Sequence, residues 1–167
     1  TDDYAFNQYR QNLIDTTQTI IQHMRSNNID IAGMQTLNER YGGKNIGRNR
    51  EMLQLIEPLY HAYIQNFKTN NGIDFPGMIV DAISCVNNGS YRHPYKYVLI
   101  DEYQDMSRPR YELIRALRLQ HDFSLFCVGD DWQSIYRFAG SDIHLILDFD
   151  RIWRAWGPTR MFQITTT

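Results

Sequence analysis

Between Tyr9 and Met24 the apolar positions Leu13, Ile14, Ile20, Ile21 and Met24 recur at helical spacing. Thr17 fills the gap in the stripe, and together they predict an amphipathic helix ended at Asn27-Asn28. A glycine-rich loop is expected next, Gly42-Gly43-Lys44-Asn45-Ile46-Gly47. Met52, Ile56, Leu59, Tyr60, Tyr63, Ile64 and Phe67 then mark a second long amphipathic stretch. Pro58 is expected to kink or restart it, because proline offers no amide proton to the preceding turn. Thr69-Asn70-Asn71-Gly72 is a break.

The pattern changes after residue 73. Phe75 to Val86 suits a short helix closed by Asn87-Asn88-Gly89-Ser90. Tyr97-Val98-Leu99-Ile100 is a β-rich run ending in acidic residues, which predicts a buried parallel strand. Ser107 can cap a helix with inner face Tyr111, Leu113, Ile114 and Leu117, and Pro109 is tolerated in its first turn. Ser124 to Val128 predicts a second buried strand, Asp142 to Trp156 a helix, and Phe162 to Thr166 a third strand. Alternating strands and helices imply an α/β fold with a parallel sheet and right-handed crossovers.

Composition narrows the classes. The chain has 167 residues, 43% hydrophobic and 22% charged, the balance of an ordinary globular protein. Lysine plus arginine number 17 and aspartate plus glutamate 19, a net charge of −2. That argues against a basic nucleic-acid coat but leaves room for a locally shaped nucleic-acid site. Cys85 and Cys127 lie far apart without CxxC spacing, so neither a disulfide framework nor a cysteine zinc site is expected, and a reducing cytoplasm is the natural compartment. No apolar run approaches the roughly 18 residues that span a bilayer, and no membrane partner is expected.

The chemistry concentrates at the ends of the two strands. In a doubly wound sheet, ligands collect outside the carboxyl ends of the strands. Asp101-Glu102-Tyr103-Gln104-Asp105 therefore sets two carboxylates at an active-site edge. Nucleotide hydrolysis uses two such groups, one to hold the Mg²⁺ that bridges the β- and γ-phosphates and one to position or deprotonate the attacking water. The same acids equally suit a plain strand terminus. The second strand ends Val128-Gly129-Asp130-Asp131-Trp132-Gln133-Ser134-Ile135-Tyr136-Arg137-Phe138-Ala139-Gly140. Gln133 is a neutral amide able to sense a γ-phosphate or hold the water. Tyr136 and Phe138, two residues apart, offer aromatic faces for unstacked bases, with packing in a core as the plainer alternative.

These two runs, in this order, resemble motifs II and III of the superfamily 1 DNA helicases of UvrD/Rep type. Ile73-Asp74-Phe75 resembles the segment by which the chain re-enters the first motor domain in that family, and Ile164-Thr165-Thr166-Thr167 the start of its motif IV strand. The resemblance covers about residues 73–167. It implies a partial P-loop NTPase (RecA-like) parallel sheet: residues 73–167 as the C-terminal half of motor domain 1A, and residues 1–72, placed by position, as part of the helical 1B subdomain. It further implies that Asp101 holds Mg²⁺ through water, Glu102 is the general base for ATP hydrolysis, Gln133 contacts the γ-phosphate or the water, and Tyr136 and Phe138 stack on single-stranded DNA. The expected cofactors are ATP and Mg²⁺. The expected partners are single-stranded and duplex DNA and the remaining helicase domains of the parent chain.

Two departures from the family pattern stand out. Ala139 occupies a position usually held by arginine, which puts one DNA contact in doubt. Tyr103 replaces phenylalanine, expected to be mild because both fill the same apolar space. No GxxxxGK[ST] phosphate loop occurs. Gly42-Gly43-Lys44 is followed by Asn45 and preceded by no buried strand, so it reads as a helix connection, and the fragment alone is expected to be inactive towards ATP. His23, His61, His93, His121 and His144 show no ligand spacing. Arg108, Arg110, Arg115 and Arg118 read as a solvated helix face, and Trp153 and Trp156 as core or interface residues. The alternatives to a helicase motor are a non-catalytic nucleic-acid-binding or assembly module that kept the fold, and an unrelated Mg²⁺-dependent hydrolase.

Overall fold

The computed structural model describes residues 2–134 and 140–164, which form two compact units, Thr1–Tyr91 and Arg92–Thr167. The first unit is all helical: α1 Asp2–Ser26, α2 Ile31–Tyr41, α3 Ile46–Thr69 and α4 Phe75–Asn87. Its core joins Ile21 and Met24 of α1, Ile31 of α2, and Ile56 and Tyr60 of α3. Only the second half of the α1 stripe is buried, since Leu13 and Ile14 remain exposed.

Helix α2 lies where the sequence pattern showed only a turn running into a loop. Its start is set by Asp30, whose carboxylate accepts from the Gly33 amide at 2.8 Å and satisfies one of the free N–H groups of the first turn. Its end is tight: a Cβ at Gly42 would lie 2.5 Å from the Asn38 carbonyl oxygen, so only glycine fits. The Asn38 side-chain amide donates to the Ile46 carbonyl at 3.0 Å and joins α2 to the start of α3.

Pro58 does not restart α3, which is helical on both sides of it. The ring costs one backbone hydrogen bond, but Leu53 and Ile56 before it and Tyr60 after it are all buried, and this burial outweighs the loss.

Asp74 fastens the head of α4. One oxygen accepts from the Gly77 amide at 2.8 Å, and Arg25 donates to both oxygens, at 2.6 and 2.9 Å. Tyr63 donates to the same carboxylate at 3.1 Å. The guanidinium beside it holds this carboxyl below the usual aspartate range, partly opposed by burial, and the carboxylate in turn raises the Arg25 value.

The second unit holds two parallel strands, β1 Tyr97–Ile100 and β2 Ser124–Cys127, joined through α5 Arg108–Gln120. Tyr97 pairs with Ser124 and Ile100 with Cys127. The strands are half-buried rather than buried. Tyr97 and Leu99 are each 73% exposed and Phe126 59%, so alternate residues line an open face on which no described element of the unit packs. The other face packs on Tyr103, Met106 and Leu145, with Ile100, Tyr111, Cys127, Phe149 and Ile152 around them.

Ser107 sits at the cap position of α5 without a side-chain cap bond, and instead forms a short antiparallel bridge with Ser141. Arg118 leaves the solvated arginine face: its side chain is 12% exposed and its guanidinium lies against the rings of Phe123, Trp153 and Trp156.

The stretch from Asp142 is not one helix. It divides into α6 His144–Leu147 and α7 Phe149–Trp153 at Asp148, followed by a 3-10 turn, Arg154–Trp156. With this break, Leu145 and Trp153 are both buried. The predicted third strand does not form over Phe162–Ile164, which have no regular structure, and Thr165–Thr167 lie outside the described residues. The described residues thus make a mostly helical chain with a two-stranded parallel sheet.

Candidate functional site

The carboxyl ends of β1 and β2 lie side by side because the strands are parallel and in register. Their pairing continues past the last residues, with the Val128 amide donating to the Ile100 carbonyl at 2.9 Å and the Tyr103 amide to the Val128 carbonyl at 2.8 Å. Asp101 and Glu102 emerge between these two bonds, both exposed. Glu102 has φ 51° and ψ 45°, a left-handed conformation that costs an L-residue roughly 1–2 kcal/mol. Local bonds hold it: the Glu102 amide donates to Asp101 Oδ1, and the Asp105 amide to the Glu102 carbonyl, both at 2.9 Å.

Behind the acids the chain turns inward. Tyr103 is buried, and its hydroxyl accepts from Trp153 Nε1 at 3.0 Å. The hydroxyl therefore does more than fill the space of a phenylalanine ring. Burial pushes the Tyr103 hydroxyl up to about 12 and the Cys127 thiol up to about 12, so both stay protonated at neutral pH and supply neither base nor nucleophile.

Gln104 is 2% exposed. Its Nε2 donates to Glu102 Oε2 at 2.6 Å, and its Oε1 accepts from the Asp130 amide at 3.0 Å. Asp130 opens the 3-10 turn Asp131–Gln133, its carboxylate accepting from the Trp132 amide at 3.1 Å and from Gln133 Nε2 at 2.7 Å. Glu102, Gln104, Asp130 and Gln133 therefore form one continuous polar connection from the first strand end to the second.

The structure thus brings together Asp101, Glu102 and Gln133, the three expected hydrolysis residues that lie within it. Tyr136, Phe138 and Ala139 lie outside the described residues. Gln104 carried no expectation beyond its place in the motif, and its signal was its chemistry: an uncharged amide set between three acids. Trp132 is 92% exposed beside Gln133.

No group of three or more potential metal ligands exists among the described residues. Asp101 nonetheless suits Mg²⁺, which is commonly bound through one or two carboxylates with water and substrate phosphates completing its shell. Its carboxylate is exposed, and among the described residues it is engaged at Oδ1, by the Glu102 amide. His93 is buried instead as a structural group, bonded to the Leu117 carbonyl at 2.7 Å. No helix among the described residues is long and apolar enough to cross a membrane.

The chain is 43% identical over 98 residues to DNA helicase IV of Escherichia coli (strain K12), an alignment covering 58% of this chain and 14% of that protein. It is 34% identical over 103 residues to the ATP-dependent DNA helicase PcrA of Bacillus subtilis (strain 168), covering 59% and 14%. The PcrA of Staphylococcus aureus (strain Mu50 / ATCC 700699) is 31% identical over 103 residues, with the same coverage. The chain thus spans about 14% of the length of the curated relatives it matches. The UvrD/REP helicase N-terminal domain matches residues 3–153, nearly the whole chain, and the chain belongs to that family.

Proposed function

We propose that this chain is part of an ATP-dependent DNA helicase that couples ATP hydrolysis to 3′→5′ movement on single-stranded DNA and to the unwinding of duplex DNA. The observation that carries this reading is the hydrogen-bonded connection from Glu102 through Gln104 and Asp130 to Gln133. It joins a carboxylate fit to activate water to an amide fit to sense phosphate, at the strand ends where nucleotide chemistry is done. In this reading Glu102 takes a proton from the attacking water as its oxygen bonds to the γ-phosphorus and the bond to the bridging oxygen breaks. Gln133 orients that water or the γ-phosphate. Asp101 holds Mg²⁺, which supplies neutralisation of the phosphate charge.

Tyr136 and Phe138 stack on bases of the tracked strand, next in sequence to the Gln133 turn, which suits a link between hydrolysis and DNA movement. Residues 73–167 are the C-terminal half of a RecA-like P-loop motor domain 1A and residues 1–72 part of subdomain 1B, working in the cytoplasm. Because the sequence contains no GxxxxGK[ST] loop, the 167 residues hydrolyse ATP only together with the remaining domains of the parent.

The test uses the full-length protein with Mg²⁺ and ATP on partial duplexes carrying a 3′ or a 5′ single-stranded tail. Displacement of the short strand from the 3′-tailed duplex alone, with hydrolysis stimulated by single-stranded DNA, is the expected result. Hydrolysis indifferent to DNA, or none, would reject the reading.

A further inference from the structure

We infer that Gln104 is a positioning residue that orients the Glu102 carboxylate and makes that orientation depend on the backbone of the Gly129–Gln133 loop. The inference rests on the reading of Glu102 as general base and adds a second residue to it. Two engaged atoms on one side chain carry the argument. The amide nitrogen of Gln104 donates to Glu102 Oε2 at 2.6 Å, while its oxygen accepts from the Asp130 N–H at 3.0 Å. Turning the amide over would set oxygen against carboxylate and NH₂ against N–H, so the network fixes its orientation.

Burial raises the stakes of both bonds, because a polar group at 2% exposure that loses its partner has no water to replace it. The bond also occupies only one oxygen of Glu102. Oε1 has no hydrogen-bond partner among the described residues.

Gly129 shows that the approach is built in. A Cβ there would stand 2.7 Å from Gln104 Oε1 and 3.1 Å from the Gln104 backbone nitrogen, so the absence of a side chain admits the glutamine. The loop end is equally defined, since Asp130 offers its N–H to Gln104 and its carboxylate to Gln133 Nε2. A shift of the Gln133 turn therefore acts on Asp130, and through Gln104 on Glu102. No charged side chain can replace this amide: glutamate accepts but does not donate, and sets a second negative charge against Glu102.

The experiment compares Gln104→Met, Gln104→Glu and Glu102→Gln in the full-length protein. It measures kcat and KM for ATP with and without single-stranded DNA, and the pH profile of kcat. Gln104→Met should lower DNA-stimulated kcat about tenfold or more, the order of loss for misplacing a proton-transfer group, with KM for ATP within about threefold. Gln104→Glu should move the acidic limb of the kcat profile upward by about one pH unit, because a like charge disfavours the ionised base. In protein labelled with ¹⁵N-glutamine, the Gln104 NH₂ resonance should shift between wild type and Glu102→Gln, as a direct contact with that carboxylate requires; this arm decides should Gln104→Met fail to fold.

Wild-type kcat in Gln104→Met with an unmoved profile in Gln104→Glu, or an NH₂ resonance blind to Glu102, would overturn the role of Gln104 while Glu102→Gln stays inactive. Turnover near wild type in Glu102→Gln would overturn the base assignment itself, and the catalytic role of Gln104 with it.

Discussion

The indole N–H of Trp153 donates a 3.0 Å hydrogen bond to the hydroxyl of Tyr103, 50 residues earlier in the chain and directly behind the acidic strand end. Both side chains are buried. Tyr103→Phe keeps the ring but leaves the indole N–H unsatisfied, and should lower stability by about 1–3 kcal/mol in denaturant unfolding. Burial raises the hydroxyl from 10.0 to about 12, so folding favours its neutral form. That contribution is fully present below about pH 10 and is lost as pH rises towards 12, which should appear as an alkaline fall in stability that Tyr103→Phe reduces.

Asp74 gives the opposite sign. Arg25 draws its value below the usual range, so its contribution is present above the ordinary aspartate value of 3.8 and is lost as pH falls through the lowered one. Asp74→Asn should cost about 1–3 kcal/mol at neutral pH, between an exposed and a buried ion pair. Thermal unfolding across acid pH should show the gap between variant and wild type closing below that range; a gap independent of pH would assign the cost to capping alone.

Tyr136 and Phe138 make the DNA platform testable by affinity. Replacing both with alanine in the full-length protein should weaken single-stranded DNA binding by about 2–6 kcal/mol, at about 1–3 kcal/mol per stacked base and with little sequence preference. Fluorescence anisotropy with homopolymer oligonucleotides reads the change, and unaltered affinity would return both rings to a core role.

The strand ends were legible because Tyr97–Ile100 and Ser124–Val128 are short apolar runs, each stopped by acids or by Gly-Asp. Helix α2 was not. Asn28, at φ 53°, ends the first helix so clearly that the cap signal at Asp30 and the apolar spacing Ile31, Met34, Leu37 were lost in an assumed loop. Pro58 does not restart α3, since proline chemistry is local whereas the burial of Leu53, Ile56 and Tyr60 that keeps the helix continuous is tertiary. Strand burial was overstated because a continuous apolar run cannot show whether both faces are covered. The role of Gln104 is not legible in the sequence because its partners Glu102 and Asp130 follow the ends of two different strands, which the parallel register brings side by side.

The most direct measurement is ATP turnover by the full-length Glu102→Gln variant, taken beside its affinity for nucleotide. Glutamine keeps the shape of the side chain but gives up the basic oxygen. Turnover on single-stranded DNA should fall to background while nucleotide binding stays near wild type. Turnover close to wild type, with intact binding, would contradict the assignment of this strand end as the hydrolytic centre of a helicase motor.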